Sequence, residues 1–214
     1  MQFDSSVLRF ATIGAIRVLQ NAARNMEITV MHQVVFIQGG GEGAYETDAQ
    51  LAASLRNVLG AAYAVHYPRM PKESDPDYKR WKEQIRKELA AVKGDVILIG
   101  HSLGGSFLLK YLSEGNVETT IAGLFLIATP YWGGDGWRYE GYESVSLSEG
   151  FASKLPQGMP IFLYHSRDDE IVPFAHLALY ARTLPQAAIR TLDGRGHQLN
   201  NALSEVAADI ETQI

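Results

Sequence analysis

Four stretches of this chain, residues 34–37, 96–99, 121–128 and 161–164, are apolar at almost every position, with no polar residue at alternate places. A strand with one face in water alternates, so strands that are apolar throughout belong to a sheet covered on both faces. Between them run longer segments of helical period. Residues 45–59 place Leu51, Leu55, Val58 and Leu59 on one face before Gly60 ends the helix. Pro76 opens a charged helix whose apolar positions are Trp81, Ile85, Leu89 and Val92. Shorter runs at 63–67, closed by Pro68, and at 187–192 complete about six strands, and a last helix is expected over 198–210. Repeated βα units of this kind predict an α/β fold with a mostly parallel sheet and helices on both faces.

At 214 residues there is room for one such domain. With 46% hydrophobic and 20% charged residues, the composition is that of a folded globular protein without a membrane span. A formal charge of -5, with Lys79, Arg80 and Lys82 interleaved among acids, gives no attraction for a phosphate backbone, so no nucleic-acid partner is expected. The absence of cysteine excludes disulfides, thiolate metal sites and a cysteine nucleophile, and suits a cytoplasmic protein. Residues 7–19 are apolar and carry Arg9 and Arg17, with Arg24 following. Arg17 interrupts what would be a signal-peptide core, so residues 1–30 are read as a helical extension and 31–214 as the domain. The one long connection, 128–161, is rich in Gly, Tyr and Trp and carries a short helical piece near 147–155. Loops of that length are usually functional.

The run at 96–99 leads straight into Gly100-His101-Ser102-Leu103-Gly104-Gly105 and a helix through Leu112. A G-x-S-x-G string between a buried strand and a helix is the setting of a nucleophile elbow. The turn strains the serine backbone, and glycines two residues either side leave the space it needs. The helix N-terminus then frees the Leu103 amide to donate to an oxyanion. Serine alone is a poor nucleophile, so an acid and a histidine should follow in that order. After the strand at 161–164 come Asp168-Asp169-Glu170, and after the last strand Asp193-Gly194-Arg195-Gly196-His197, both at the carboxyl edge of the sheet where ligands gather. His197 is the best placed of the six histidines, His101 being expected to turn away from the reacting face. Proximity does not choose among the three acids.

These motifs resemble those of the α/β-hydrolase superfamily, and within it the small, nearly lidless serine hydrolases of the retinoblastoma-binding-protein type, from about Gln33 onward. The resemblance implies the three-layer α/β-hydrolase fold with a minimal lid. The superfamily's D-x-x-V-P is matched by Asp169-Glu170-Ile171-Val172-Pro173, which selects Asp169. Relatives commonly carry His-Gly after the first strand, where this chain has Gln38-Gly39-Gly40. The second oxyanion donor is therefore assigned by position to the Gly40 amide, with Gly41 as the alternative. A serine hydrolase acting on a small acyl substrate is implied, with no metal or other cofactor and no protein partner identified. Tyr131, Trp132 and Trp137 stand in the long connection as candidates for an acyl pocket or for packing. Gly39-x-Gly41-x-x-Ala44 also resembles a dinucleotide fingerprint, but the strand near Tyr67 is followed by Pro68 and Arg69 where an acid is needed. A catalytically silent binding protein on the same fold is the other reading.

Overall fold

In the computed structural model, which describes residues 31–115, 117–134, 137–138 and 142–214, each apolar run is a strand. β1 (His32–Ile37), β2 (Tyr63–His66), β3 (Val96–His101), β4 (Ile121–Ile127), β5 (Ile161–Ser166) and β6 (Ala188–Leu192) form one sheet in the order β2-β1-β3-β4-β5-β6. Every neighbouring pair is parallel. The helices are α1 (Ala44–Leu59), α2 (Tyr78–Ala91), α3 (Leu103–Ser113), α4 (Ala175–Thr183) and α5 (Ser204–Gln213). The helix expected within residues 1–30 lies outside the described residues.

The side-chain period of two divides each apolar run between two cores. Val35, Ile37, Leu98, Leu124, Leu126 and Leu163 face α2, α3 and α4, meeting Trp81, Ile85, Phe107, Leu177 and Tyr180. Val34, Phe36, Ile97, Ile99, Phe125 and Ile127 face α1 and α5, meeting Leu51, Leu55, Val206 and Ile210. Burying each such side chain contributes about 1.5–3 kcal/mol, which is why these runs contain no polar alternation. All the βα turns consequently emerge at one edge of the sheet.

Helix boundaries follow local chemistry. Asp77, in extended conformation, accepts a hydrogen bond from the Arg80 N–H at 3.0 Å, so α2 begins at Tyr78 and Pro76 stands just outside it. Gly60 takes a positive φ of 65° where α1 ends. The expected last helix divides. Leu199, Asn200 and Asn201 all have positive φ (44°, 52° and 55°) and form a 3-10 turn, and the α-helix starts only at Ser204. What overrides helical continuity is Arg195, whose guanidinium donates to the carbonyls of Leu199 (3.2 Å) and Ala202 (2.8 Å) and pairs with Glu205. In the long connection the helical piece is shorter than expected, a 3-10 turn at Phe151–Lys154 that buries Phe151 and, just beyond it, Leu155. No helix among the described residues is long and apolar enough to cross a membrane.

Trp81 is wholly buried, and its indole N–H donates to the Pro71 carbonyl at 2.8 Å. Trp81→Ala is expected to lower unfolding free energy by about 3–5 kcal/mol in urea denaturation. Val58, expected from the sequence to share the apolar face of α1 with Leu51, Leu55 and Leu59, is instead 46% exposed and should tolerate alanine within about 0.5 kcal/mol.

Candidate active site

Ser102 links β3 directly to α3 with φ 50° and ψ -122°, a conformation outside the ordinary regions for a residue with a Cβ. The glycines around it are fixed by contact. A Cβ on Gly100 would lie 2.5 Å from Gly105 Cα, and one on Gly104 would lie 2.3 Å from the Gln38 carbonyl oxygen. A Cβ on Gly105 would meet Thr129 Oγ1 at 2.2 Å. The turn is pinned to the sheet by the Ser102 N–H, which donates to the Ile127 carbonyl at 2.8 Å.

Three consecutive acids after β5 divide the task of holding the loop that carries His197. Asp168 accepts from the N–H groups of Arg195 (3.1 Å) and Gly196 (3.3 Å), as well as from Ser166 Oγ. Glu170 accepts from the His197 N–H at 3.1 Å. Asp169 meets the imidazole: both carboxylate oxygens lie 3.0 Å from His197 Nδ1. The Asp169 side chain is fully buried, and its Oδ1 also accepts from the Ile171 and Val172 N–H groups at 2.9 and 2.8 Å. Burial alone would raise its pKa. The hydrogen bonds from His165, His197 and Val172 outweigh this and hold it well below the usual carboxylate range. Because a carboxylate only accepts, Nδ1 of His197 carries the proton and Nε2 is left with a lone pair.

A second histidine, His165, reaches the same acid. It lies on β5, and its Nε2 approaches both Asp169 Oδ2 (3.1 Å) and the Val172 carbonyl (2.9 Å). His101 does not turn away as expected. Its buried ring sits 4.8 Å from the His197 ring, and its two nitrogens contact Asp48 (2.9 Å) and the His197 carbonyl (3.2 Å).

Across the cavity, the loop after β1 is splinted by its neighbours. Gln38 is fully buried; its amide donates to Glu73 at 2.7 Å and accepts from the Met70 N–H at 3.0 Å. The Gly39 N–H is used by Asp48 (2.7 Å) and the Gly41 N–H by the Glu73 carbonyl (2.6 Å). The N–H groups of Gly40 and Leu103 have no acceptor among the described residues. These two residues touch so closely that a Cβ on Gly40 would lie 2.4 Å from Leu103 Cδ2.

Ser102, His197, Gly40, Asp48, His101, Glu170 and Ile171 line one cavity of about 340 Å³. Tyr131 and Trp132 are not brought to it. Tyr131 packs edge-on to Tyr180, and the Trp132 indole donates to Ser106 Oγ at 2.9 Å with its ring against Trp137. No group of three or more His, Cys, Asp or Glu side chains among the described residues is placed to hold a metal ion.

The serine hydrolase family matches this chain over residues 50–204, a span containing Ser102, Asp169 and His197. The chain belongs to the serine hydrolase family. Its α/β-hydrolase fold is shared with the ydeN gene product of B. subtilis, at a TM-score of 0.69 and 18% identity, covering 85% of this chain and 98% of that one. A protein described as a YdeN-like hydrolase from Pectobacterium atrosepticum gives 0.61 and 20%, covering 87% and 95%. Est1E from Butyrivibrio proteoclasticus, solved with ferulic acid bound, gives 0.62 and 16%, covering 86% and 88%. A search of the curated proteins found no match.

For this family member two outcomes are expected. Gly104→Ala should destabilise the fold by about 1–3 kcal/mol or more, because the added methyl meets backbone, and thermal unfolding would register it. Asp169→Asn should cost about 1.5–3 kcal/mol at neutral pH, the worth of hydrogen bonds to a charged group. A carboxyl whose folded pKa lies below its unfolded value contributes stability that is present above the unfolded value and lost as pH falls through the folded one. The gap between wild type and Asp169→Asn in urea midpoints should therefore narrow steadily below about pH 4.

Proposed function

We propose that the protein cleaves a carboxylic ester of a small acyl group through an acyl-enzyme intermediate, with Ser102 as nucleophile, His197 as base and Asp169 as the orienting acid. The observation that carries this reading is the strained Ser102 facing the same cavity as a histidine whose Nδ1 is held by a buried carboxylate. His197 Nε2 takes the Ser102 proton as Oγ attacks the carbonyl carbon, and the resulting imidazolium is stabilised by Asp169, which stays ionised. Proton transfer needs Nε2 within about 3 Å of Oγ, and such hydrogen bonds commonly tighten only when substrate is bound. The developing oxyanion is received by the N–H groups of Gly40 and Leu103. Their lack of an internal acceptor supports this assignment, and the engagement of Gly41 with Glu73 favours Gly40 over it. His197 then protonates the leaving alkoxide, and water attacks the acyl-enzyme by the same route in reverse. Thioesters and amides share this chemistry.

Substrate size follows from the cavity, whose volume of about 340 Å³ is at the low end for a small-molecule site. Glycines and polar side chains make up most of its lining, which suits a compact acyl group better than a long lipid chain. A cytoplasmic enzyme whose catalytic domain is residues 31–214 fits a chain without cysteine.

A fluorophosphonate probe followed by peptide mass spectrometry should label Ser102 in the wild type and fail to label His197→Ala. Ser102→Ala should lower turnover of a short-chain aryl ester by up to about a million-fold, and Asp169→Asn by about ten-thousand-fold. A folded wild-type protein that takes up no probe would point instead to a binding protein on a hydrolase fold.

A further inference from the structure

In the wall of the cavity is a second acid–histidine pair that the mechanism above does not use. Asp48, on α1, and His101, the residue before Ser102, are each 1% exposed, with Nδ1 2.9 Å from Oδ2. The other ring nitrogen, Nε2, lies 3.2 Å from the His197 carbonyl oxygen. A carboxylate and a carbonyl can only accept, so both nitrogens of His101 are placed to donate, as both can only in an imidazolium. The pair reaches both the turn after β1 and the His197 segment. Asp48 Oδ2 also accepts from the Gly39 N–H at 2.7 Å, and Oδ1 accepts from the Gln198 amide at 3.1 Å.

We propose that Asp48 and His101 are positioning residues for the reaction, an ion pair that locks the Gly39–Gly40 turn, the Ser102 elbow and the His197 segment into one mutual geometry. This rests on the hydrolase reading of the same site. Four contacts converge on two side chains, and each of the three loops follows a different strand, so no backbone ladder joins them at that point. The groups facing His101 are Asp48, His197 and, farther off, Asp169. Burial opposes its protonation, but the charge and hydrogen bond of Asp48 prevail and raise its pKa. Asp48 responds in the matching sense: burial pushes its carboxyl up, and the imidazolium brings it down below its ordinary value.

Long-range nitrogen–proton NMR on the full chain is expected to show His101 protonated at both nitrogens at pH 7.5; a neutral tautomer there would overturn the proposal. Asp48→Asn keeps the shape and an acceptor for Gly39 but cannot balance the cation. It is expected to lower kcat by about a hundred-fold, the scale of a small misplacement of reacting groups, with KM changed by less than about threefold, as for an interaction expressed in the transition state. Gln198→Ala, which cuts the link to the His197 segment at a partly exposed side chain, should lower kcat by about tenfold and provides a second test should Asp48→Asn not fold. Wild-type kcat in either variant, folded by circular dichroism, would refute the proposal while probe labelling of wild-type Ser102 kept the hydrolase reading intact. Absence of that labelling would remove both.

Discussion

Backbone meets backbone where β1 leaves the sheet and α3 enters the layer above it. The room between the Gln38 carbonyl and Gly104 is less than a methyl group requires. That approach sets the angle at which α3 departs, and with it the strained conformation of Ser102. It also places Gly40 against Leu103, two residues whose N–H groups have no acceptor among the described residues. Relaxing the turn would swing the hydroxyl and the helix N-terminus together. The strain costs of order 1–3 kcal/mol, offset by the burial of Leu103, Phe107 and Leu108 along the helix the turn launches.

The opposite wall of the cavity depends on charge. Asp168, Asp169 and Glu170 are neighbours in sequence with separate duties: two hold the backbone of the Arg195–His197 turn and one holds the ring. A side chain as short as aspartate reaches the turn only because β5 and β6 are adjacent and parallel, in register from Phe162 with Ala188 to Ser166 with Leu192. Sheet pairing and acid–imidazole contact are thus consequences of one alignment.

Most of the fold was legible because parallel-sheet strands advertise themselves as unbroken apolar runs, and because G-x-S-x-G in that setting has a steric cause. The choice of Asp169 rests on a motif; in the structure its carboxylate lies against His197 Nδ1. What the sequence concealed was long-range. Asp48 and His101 are 53 positions apart, and nothing in either local pattern announces the other. Gln38 was noticed only as a departure from a familiar pattern, since its bonds to Glu73 and Met70 arise from a loop more than thirty residues on. The last helix is overextended in the sequence reading because Leu199, Leu203, Val206 and Ile210 keep helical spacing, whereas Asn200 and Asn201 adopt positive φ and the carbonyls of Leu199 and Ala202 are taken by the nearby Arg195 side chain. Tyr131 and Trp132 were ambiguous between pocket and packing, and the structure uses them for packing.

The order of strands bears on when the protein acquires its site during synthesis. Ser102 and its elbow can form once β1, β3, α3 and β4 exist, since the Ser102 N–H bonds to Ile127, but α1 alone covers only part of the sheet face that Val206 and Ile210 of α5 later complete. The Leu203 N–H then donates to Ser54 Oγ at 3.0 Å, joining segments 149 residues apart. A nascent chain halted before residue 197 would display Ser102 without His197, on a sheet with part of one apolar face uncovered, and such exposed apolar surface favours aggregation.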